Sequence, residues 1–155
     1  MKTGDVIFRL AKRDDLPAIV RMLADDDLGN QREHYAEPLP ESYYASFEKI
    51  ESDSNHELIV AELNGVVIGT LHLMFLPSIS FHGGLRAQVE SVRVDKLYQG
   101  QGIGSAMMKW SIERARKRGA QIGQLTTHQS RAEAHRFYER LGFKGTHLGM
   151  KLSLK

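Results

Sequence analysis

Gln99-Gly100-Gln101-Gly102-Ile103-Gly104 stands between an apolar run ending at Val94 and the start of a helical pattern. Glycines at alternate positions leave backbone N–H groups bare of side chains where a helix start has unpaired donors. The turn can therefore seat an anionic ligand, a pyrophosphate above all. Two nucleotide motifs fail on spacing. A dinucleotide fingerprint reads G-x-G-x-x-G directly after its strand and sets a carboxylate on the next strand. Here the spacing is G-x-G-x-G, Asp95 to Tyr98 intervene, and the strand Gln121 to Thr127 ends in Thr126-Thr127-His128. An NTPase phosphate loop needs Gly-Lys followed by Ser or Thr, whereas Gly104 is followed at once by Ser105. What remains is Q-x-x-G-x-G between a strand and a helix, for which an ordinary glycine-rich connection is the alternative on this motif alone.

A second segment narrows the choice. Arg131 to Phe143 reads RAEAHRFYERLGF, an amphipathic helix with Ala134, Phe137 and Leu141 on one side and a stop at Gly142. The two segments, in this order and with one short strand between them, resemble the GNAT N-acetyltransferases. Those enzymes hold the acyl-CoA pyrophosphate on the first motif and end their cofactor site with an A-x-x-F-Y-x-x-x-G-F helix, matched here by Ala134, Phe137, Tyr138, Gly142 and Phe143. The resemblance is specific over Ala87 to Phe143 and looser elsewhere. One departure stands out: Ser130 and Arg131 occupy the region where many members carry an Asn that touches the pantetheine arm. The His135-Arg136-Phe137-Tyr138 run and Thr146-His147 are similar to members acting on small amines, aminoalkylphosphonate acetyltransferases among them.

The resemblance implies acetyl-CoA as co-substrate, no metal, and direct attack by a primary amine of a small molecule in a ternary complex. A protein N-terminus or lysine as acceptor, and a non-catalytic acyl-CoA-binding module, are the alternatives. It assigns the diphosphate to Gln99, Gly100, Gln101, Gly102, Ile103 and Gly104, and the pantetheine arm and thioester oxygen to the backbone of Val92, Arg93 and Val94. Ser130, Ala134 and Phe137 complete the cofactor site. An alkylamine is protonated at neutral pH, with a pKa of about 10.4, and must lose a proton before it attacks. Glu90, on the strand and by strict alternation on the face of Val92 and Val94, is the candidate base. A salt-bridged strand carboxylate is the competing reading, and His128, an imidazole at a strand end, is the rival base. Tyr138 matches the family's tyrosine that gives a proton to the leaving thiolate, against the plainer alternative of a core tyrosine beside Phe137.

The elements that must position these groups fit one domain spanning residues 1–155, with 41% hydrophobic residues and a net charge of +2 that is dispersed rather than gathered into a nucleic-acid stripe. The absence of cysteine excludes disulfides, thiolate metal sites and an acyl-cysteine route. Neither a signal-peptide core nor an apolar run of membrane length is present, which predicts a cytoplasmic protein without membrane partners. Strands are expected at Val6–Leu10, Glu57–Leu63, Val66–Leu76, Ala87–Val94, Ile122–Thr127 and Met150–Leu154, the second and third joined by a type I′ turn at Asn64-Gly65. Helices are expected after Asp14-Asp15, over Glu41–Ile50, over Gly102–Arg118 and in the last amphipathic segment. Arg114, Arg116, Lys117 and Arg118 read as a solvated helix end. The implied fold is α/β (α+β), a GNAT fold with a mixed, mostly antiparallel sheet of six to seven strands and helices on both faces. Asp25, Asp26, Asp27, Glu33 and Glu37 lie where they could attract a cationic amine, or face water as like charges do. Phe75, Phe81 and Tyr35 could wall an acceptor pocket, and the last strand could pair across a homodimer interface.

Overall fold

Asn64 and Gly65 adopt φ of 50° and 80°, the pair of positive angles that a type I′ turn requires, and they fold the central hairpin of the sheet. The computed structural model describes residues 3–155; Met1 and Lys2, the first residues of the charged start, lie outside the described residues. In chain order the elements are β1 (Ile7–Leu10), α1 (Leu16–Ala24), α2 (Gly29–Arg32), α3 (Glu41–Glu51), β2 (His56–Leu63) and β3 (Val66–Pro77). A single turn follows at Ser80–Gly83 (α4), with Phe81 and His82 at left-handed angles, then β4 (Leu85–Val94), α5 (Ile103–Lys117), β5 (Ala120–Leu125) and α6 (Ala132–Arg140).

The sheet order is β1-β2-β3-β4-β5, antiparallel as far as β4 and parallel between β4 and β5. A parallel neighbour needs a long crossover, and α5 supplies it. Among the described residues the sheet has five strands, which corrects the expected six to seven. Met150–Leu154 makes no ladder, and Met150, Leu152 and Leu154 are exposed. A period of two selects the face a side chain takes but does not by itself pair a segment with the sheet.

Helices cover both faces of the sheet. Ile59, Ile68, Leu71, Leu73, Phe75, Ala87 and Val89 form one core with Ile103, Met107 and Met108 of α5, and the aromatics of α6 pack against its margin. On the other face Val60 and Val67 meet Leu16, Ile19 and Val20 of α1 and Phe47 of α3. Arg116 and Lys117 are exposed as a solvated helix end should be, whereas Arg114 and Arg118 are also tied to the sheet. Both bond the buried Glu57 carboxylate of β2, and Arg118 lies 3.8 Å over the Phe75 ring. They fasten the C-terminal end of α5 to the sheet, so its N-terminal end is presented at a fixed height beside β4. Among the described residues no helix is long and apolar enough to cross a membrane.

Candidate active site

The site is built around an irregularity in β4. Ser91 takes φ of 56°, and the register against β3 shifts so that Thr70 faces Arg93 while His72 faces Glu90. Two residues of β4 thus stand against Leu71 alone, which is a β-bulge. The extra residue switches the parity of the strand. Ala87 and Val89 face the α5 core before it, and Val92 and Val94 pack against that core after it. Glu90 and Arg93 therefore share the opposite face, which corrects the expectation that Glu90 sits on the side of Val92 and Val94.

Glu90 is exposed and accepts a hydrogen bond from Gln88 Nε2 at 2.8 Å; Gln88 Oε1 in turn accepts from Gln124 Nε2 at 2.8 Å. Across the strand pair lies His72, whose Nε2 is 3.0 Å from His56 Nδ1. Burial pushes the proton affinity of His72 below the ordinary imidazole value, the neighbouring His56 adds to this, and Glu90 opposes it. A row of polar groups thus crosses the sheet from β2 to β5 on the face that carries Glu90.

Beyond the bulge, β4 and β5 part. Their ladder ends at Val89 and Leu125, while β4 continues to Val94 paired only with β3. The free edge of Glu90–Val94 consequently offers backbone donors and acceptors to the gap. Two buried side-chain atoms near its mouth, Arg93 Nε and Thr127 Oγ1, have no hydrogen-bond partner among the described residues. Buried polar groups are seldom left unpaired, so a ligand or a water entering the gap can supply the partner.

The glycine turn lies at the end of β4. Gly100 and Gly102 take φ of 76° and 83°, angles that favour glycine, and Gly102 caps α5 without a side-chain bond. The first bond back along the helix runs from the Ala106 N–H to Gly102 O at 3.0 Å, so the amides before it lack helical partners. Gly104 is different: a Cβ there would meet Val94 Cγ2 and Phe137 Cζ at 3.6 Å, ordinary contact. Ile103 is buried in the core, and the two glutamines brace the turn from outside. Gln99 Nε2 donates to Val94 O at 3.0 Å and Gln101 Nε2 to Leu97 O at 3.3 Å. This donor set of bare amides beside a free strand edge fits the diphosphate and the amide-bearing arm of coenzyme A.

Tyr138 is largely buried, its ring edge-on to Phe137 at 5.1 Å and to Phe143 at 6.0 Å. Its hydroxyl makes no hydrogen bond among the described residues. Burial raises its proton affinity above that of an ordinary phenol, with Arg93 and Arg131 pulling the other way. Those two arginines share one carboxylate: Asp26 Oδ2 lies 2.8 Å from Arg131 Nη2 and 3.3 Å from Arg93 Nη2. Burial and three surrounding donors compete at Asp26. The Gly29 N–H and the two guanidiniums outweigh the desolvation and hold it below the usual carboxylate range. Ser130 is turned toward His128, with Oγ 2.7 Å from Nδ1, and the His135 ring lies 3.2 Å from the His128 carbonyl. Ala134 is one helical turn before Tyr138 on α6.

The structure therefore gathers Tyr138, Phe137, Gly104, Val94 and Arg93 around the gap. Glu90 stands on the α1 face of the same strand and shares no hydrogen bond with Tyr138. The acidic run expected to attract a cation is engaged elsewhere. Asp25 pairs with Lys96 at 2.6 Å, Asp26 with the arginines, Glu33 takes the Tyr43 hydroxyl and Glu37 the Tyr35 hydroxyl. Sequence reasoning missed the side chains of Arg93, Arg131, Thr127 and His72. The replacement of the family Asn by Ser130-Arg131 was the available signal for one of them.

Three relatives are similar to this chain, one in structure and two in sequence. A protein of Bacillus halodurans C-125 described as a transcriptional regulator superposes with a TM-score of 0.94, at 47% identity over 96% of this chain and 99% of that one. The aminoalkylphosphonate N-acetyltransferase of Salmonella typhimurium is 36% identical over 61% of this chain and 61% of its own. The glucosamine 6-phosphate N-acetyltransferase of Trypanosoma brucei brucei is 32% identical over 58% of this chain and 59% of its own. The chain thus spans less than two thirds of these two curated relatives. The family model described as the acetyltransferase (GNAT) family matches residues 19–143, from α1 through the helix that carries Tyr138, and the chain belongs to that family.

Proposed function

We propose that the protein is an acetyl-CoA-dependent N-acetyltransferase that acetylates a primary amine of a small molecule by direct attack in a ternary complex. The observation that carries this reading is the parting of β4 from β5 at Val89 and Leu125, with Tyr138 and the capless start of α5 beside the gap. Acetyl-CoA, when bound, supplies an acetyl group activated as a thioester. The amides around Gly102 to Ser105 hold its diphosphate, and the free edge of Glu90–Val94 holds the pantetheine amides and offers N–H donors to the thioester oxygen. The Phe137 ring lies beside Gly104, where an added Cβ would meet it at 3.6 Å.

Glu90 takes the ammonium proton, directly or through one water, and passes it toward the exposed face it occupies. Tyr138 keeps its proton at neutral pH because burial raises its proton affinity, and so has one to give to the departing sulfur. Similarity to relatives named for small amines supports a small acceptor over a protein. The Gly29–Pro40 segment gives further support. Tyr43 of α3 bonds both Glu33 and the His34 N–H, and Leu39 is buried, so this segment stays folded over the α1 side instead of leaving an open groove. The same reading includes a homodimer joined through the C-terminal segment.

Thiol release from acetyl-CoA across a panel of amines and basic peptides, with mass spectrometry of the acetylated product, tests the proposal. Release with small amines is the expected result. Binding of acetyl-CoA with no release on any amine would make the chain a binding module instead.

A further inference from the structure

Three guanidiniums meet on the face of Glu90, and one carboxylate answers them. Arg93 and Arg131 both bond Asp26, and Arg32 stands close enough to Arg93 for its charge to be felt there. Among the described residues Arg32 itself donates only to the Leu28 carbonyl. The neighbouring charges are already paired, Arg21 with Asp95 and Lys96 with Asp25, while Asp27 is exposed toward Lys96. The surplus positive charge therefore sits at the inner pair, beside the Tyr138 hydroxyl. Arg93 is more than a surface cation. It is largely buried, burial lowers its proton affinity despite Asp26, and its Nε is buried without a partner. Holding a guanidinium in such a place costs free energy that one shared carboxylate offsets poorly, which is the condition of a site awaiting an anion.

Deepening the acetyltransferase reading, on which it rests, we propose that the acceptor carries a phosphonate or phosphate monoester besides its amine, bound by Arg93 and Arg131 with Arg32 at the rim. The bulge makes this geometry possible, because it sets Arg93 and Glu90 on one face of β4, at most about 10 Å apart along the strand. A short aminoalkyl chain can then place its ammonium at Glu90 while its oxyanion meets the planar forks of the arginines. Three cations less one anion match a dianion better than a carboxylate. The phosphates of coenzyme A share this chemistry, yet its diphosphate belongs at the glycine turn and its remaining phosphate at the end of the molecule far from sulfur. Neither lies beside the phenol that serves the sulfur.

Calorimetric titration of the CoA-loaded protein with aminoethylphosphonate, β-alanine and ethanolamine tests the site without turnover. Aminoethylphosphonate should bind at least about 100-fold more tightly than ethanolamine, as two or more charge-assisted bonds require, and more tightly than β-alanine. Arg131→Gln should cut that phosphonate-to-alcohol ratio about tenfold with an unchanged melting temperature, and the exposed Arg32→Gln should cut it less. Equal binding of phosphonate and alcohol, or of phosphonate and carboxylate, overturns the proposal. So does an Arg131→Gln effect on CoA affinity as large as that on the acceptor, which would give the arginines to the coenzyme. Thiol release with neutral amines at equal kcat/KM overturns the acceptor assignment alone. Phosphonate binding with no thiol released from acetyl-CoA by any amine overturns both the assignment and the acetyltransferase reading.

Discussion

In the proposed reaction Tyr138 and Glu90 would divide the proton traffic by environment. The phenol is packed between Phe137 and Phe143, with no hydrogen-bond acceptor among the described residues and its ionisation opposed by burial, so the donor role proposed for it depends on the hydroxyl alone. Tyr138→Phe keeps the packing and removes that hydroxyl. Turnover should fall by about 100-fold or more while calorimetry gives an unchanged acetyl-CoA affinity; a parallel loss of both would make it a packing residue. Glu90, by contrast, is exposed and oriented by Gln88. Its removal should be felt most where the acceptor amine is most fully protonated. Glu90→Gln should therefore depress the rate steeply on the acid side of the pH profile and spare it as pH approaches the amine's own value of about 10.4. An unshifted profile would move the proton to another group. His128 is poorly suited to inherit it, since Ser130 bonds its Nδ1 from both its hydroxyl and its N–H.

At the level of elements, the glycine turn and the β4 bulge differ in how far the sequence announces them. The turn was legible: alternate glycines before a helical pattern state a backbone requirement, and Gly100 and Gly102 take left-handed angles. Gly102→Ala should destabilise the turn by about 1 kcal/mol and weaken CoA binding, whereas Gly104→Ala should be tolerated, because only the former position needs a positive φ. Thermal melts and CoA titrations of the two variants separate these outcomes. The bulge at Ser91 was not legible, because serine carries no signal for a left-handed angle and the slip is set by pairing with β3. One unseen residue was enough to reverse the face of Glu90 and hide that it shares that face with Arg93 and stands opposite His72. The same row makes stability depend on pH. His72 takes up its proton at a lower pH when folded than when unfolded, so its contribution is full above about 6.5 and declines as pH falls below that value. The melting temperature should drop between about pH 7 and 5.5, ahead of any carboxylate transition, and His72→Phe should flatten that segment of the curve. The groups facing His72 are His56 from β2 and Glu90 from β4, with Asp53 at 3.9 Å from His56.

For the whole molecule, the sheet is left with an edge and the chain with a segment that could cover it. β5 pairs only with β4, and the chain returns to its open end, where a Cβ on Gly149 would lie 3.6 Å from Thr126 Cγ2. From there Leu148, Met150, Leu152 and Leu154 are 73%, 86%, 84% and 91% exposed, all on alternate positions and so on one side of an extended chain. An unpaired edge beside an apolar segment of strand period is unstable toward pairing with a second copy. Burying such side chains is worth about 1.5–3 kcal/mol each, and twofold symmetry doubles the gain. The segment that fails to form the sixth strand within one chain is therefore expected to form it between two. Light scattering at micromolar concentration should give a dimer for the full chain and a monomer for a variant ending at Gly149, and the melting temperature of the full chain should rise with concentration while that of the shortened one does not. A full chain that stays monomeric, with a melting temperature independent of concentration, would overturn this pairing and leave the alternation without a partner between chains.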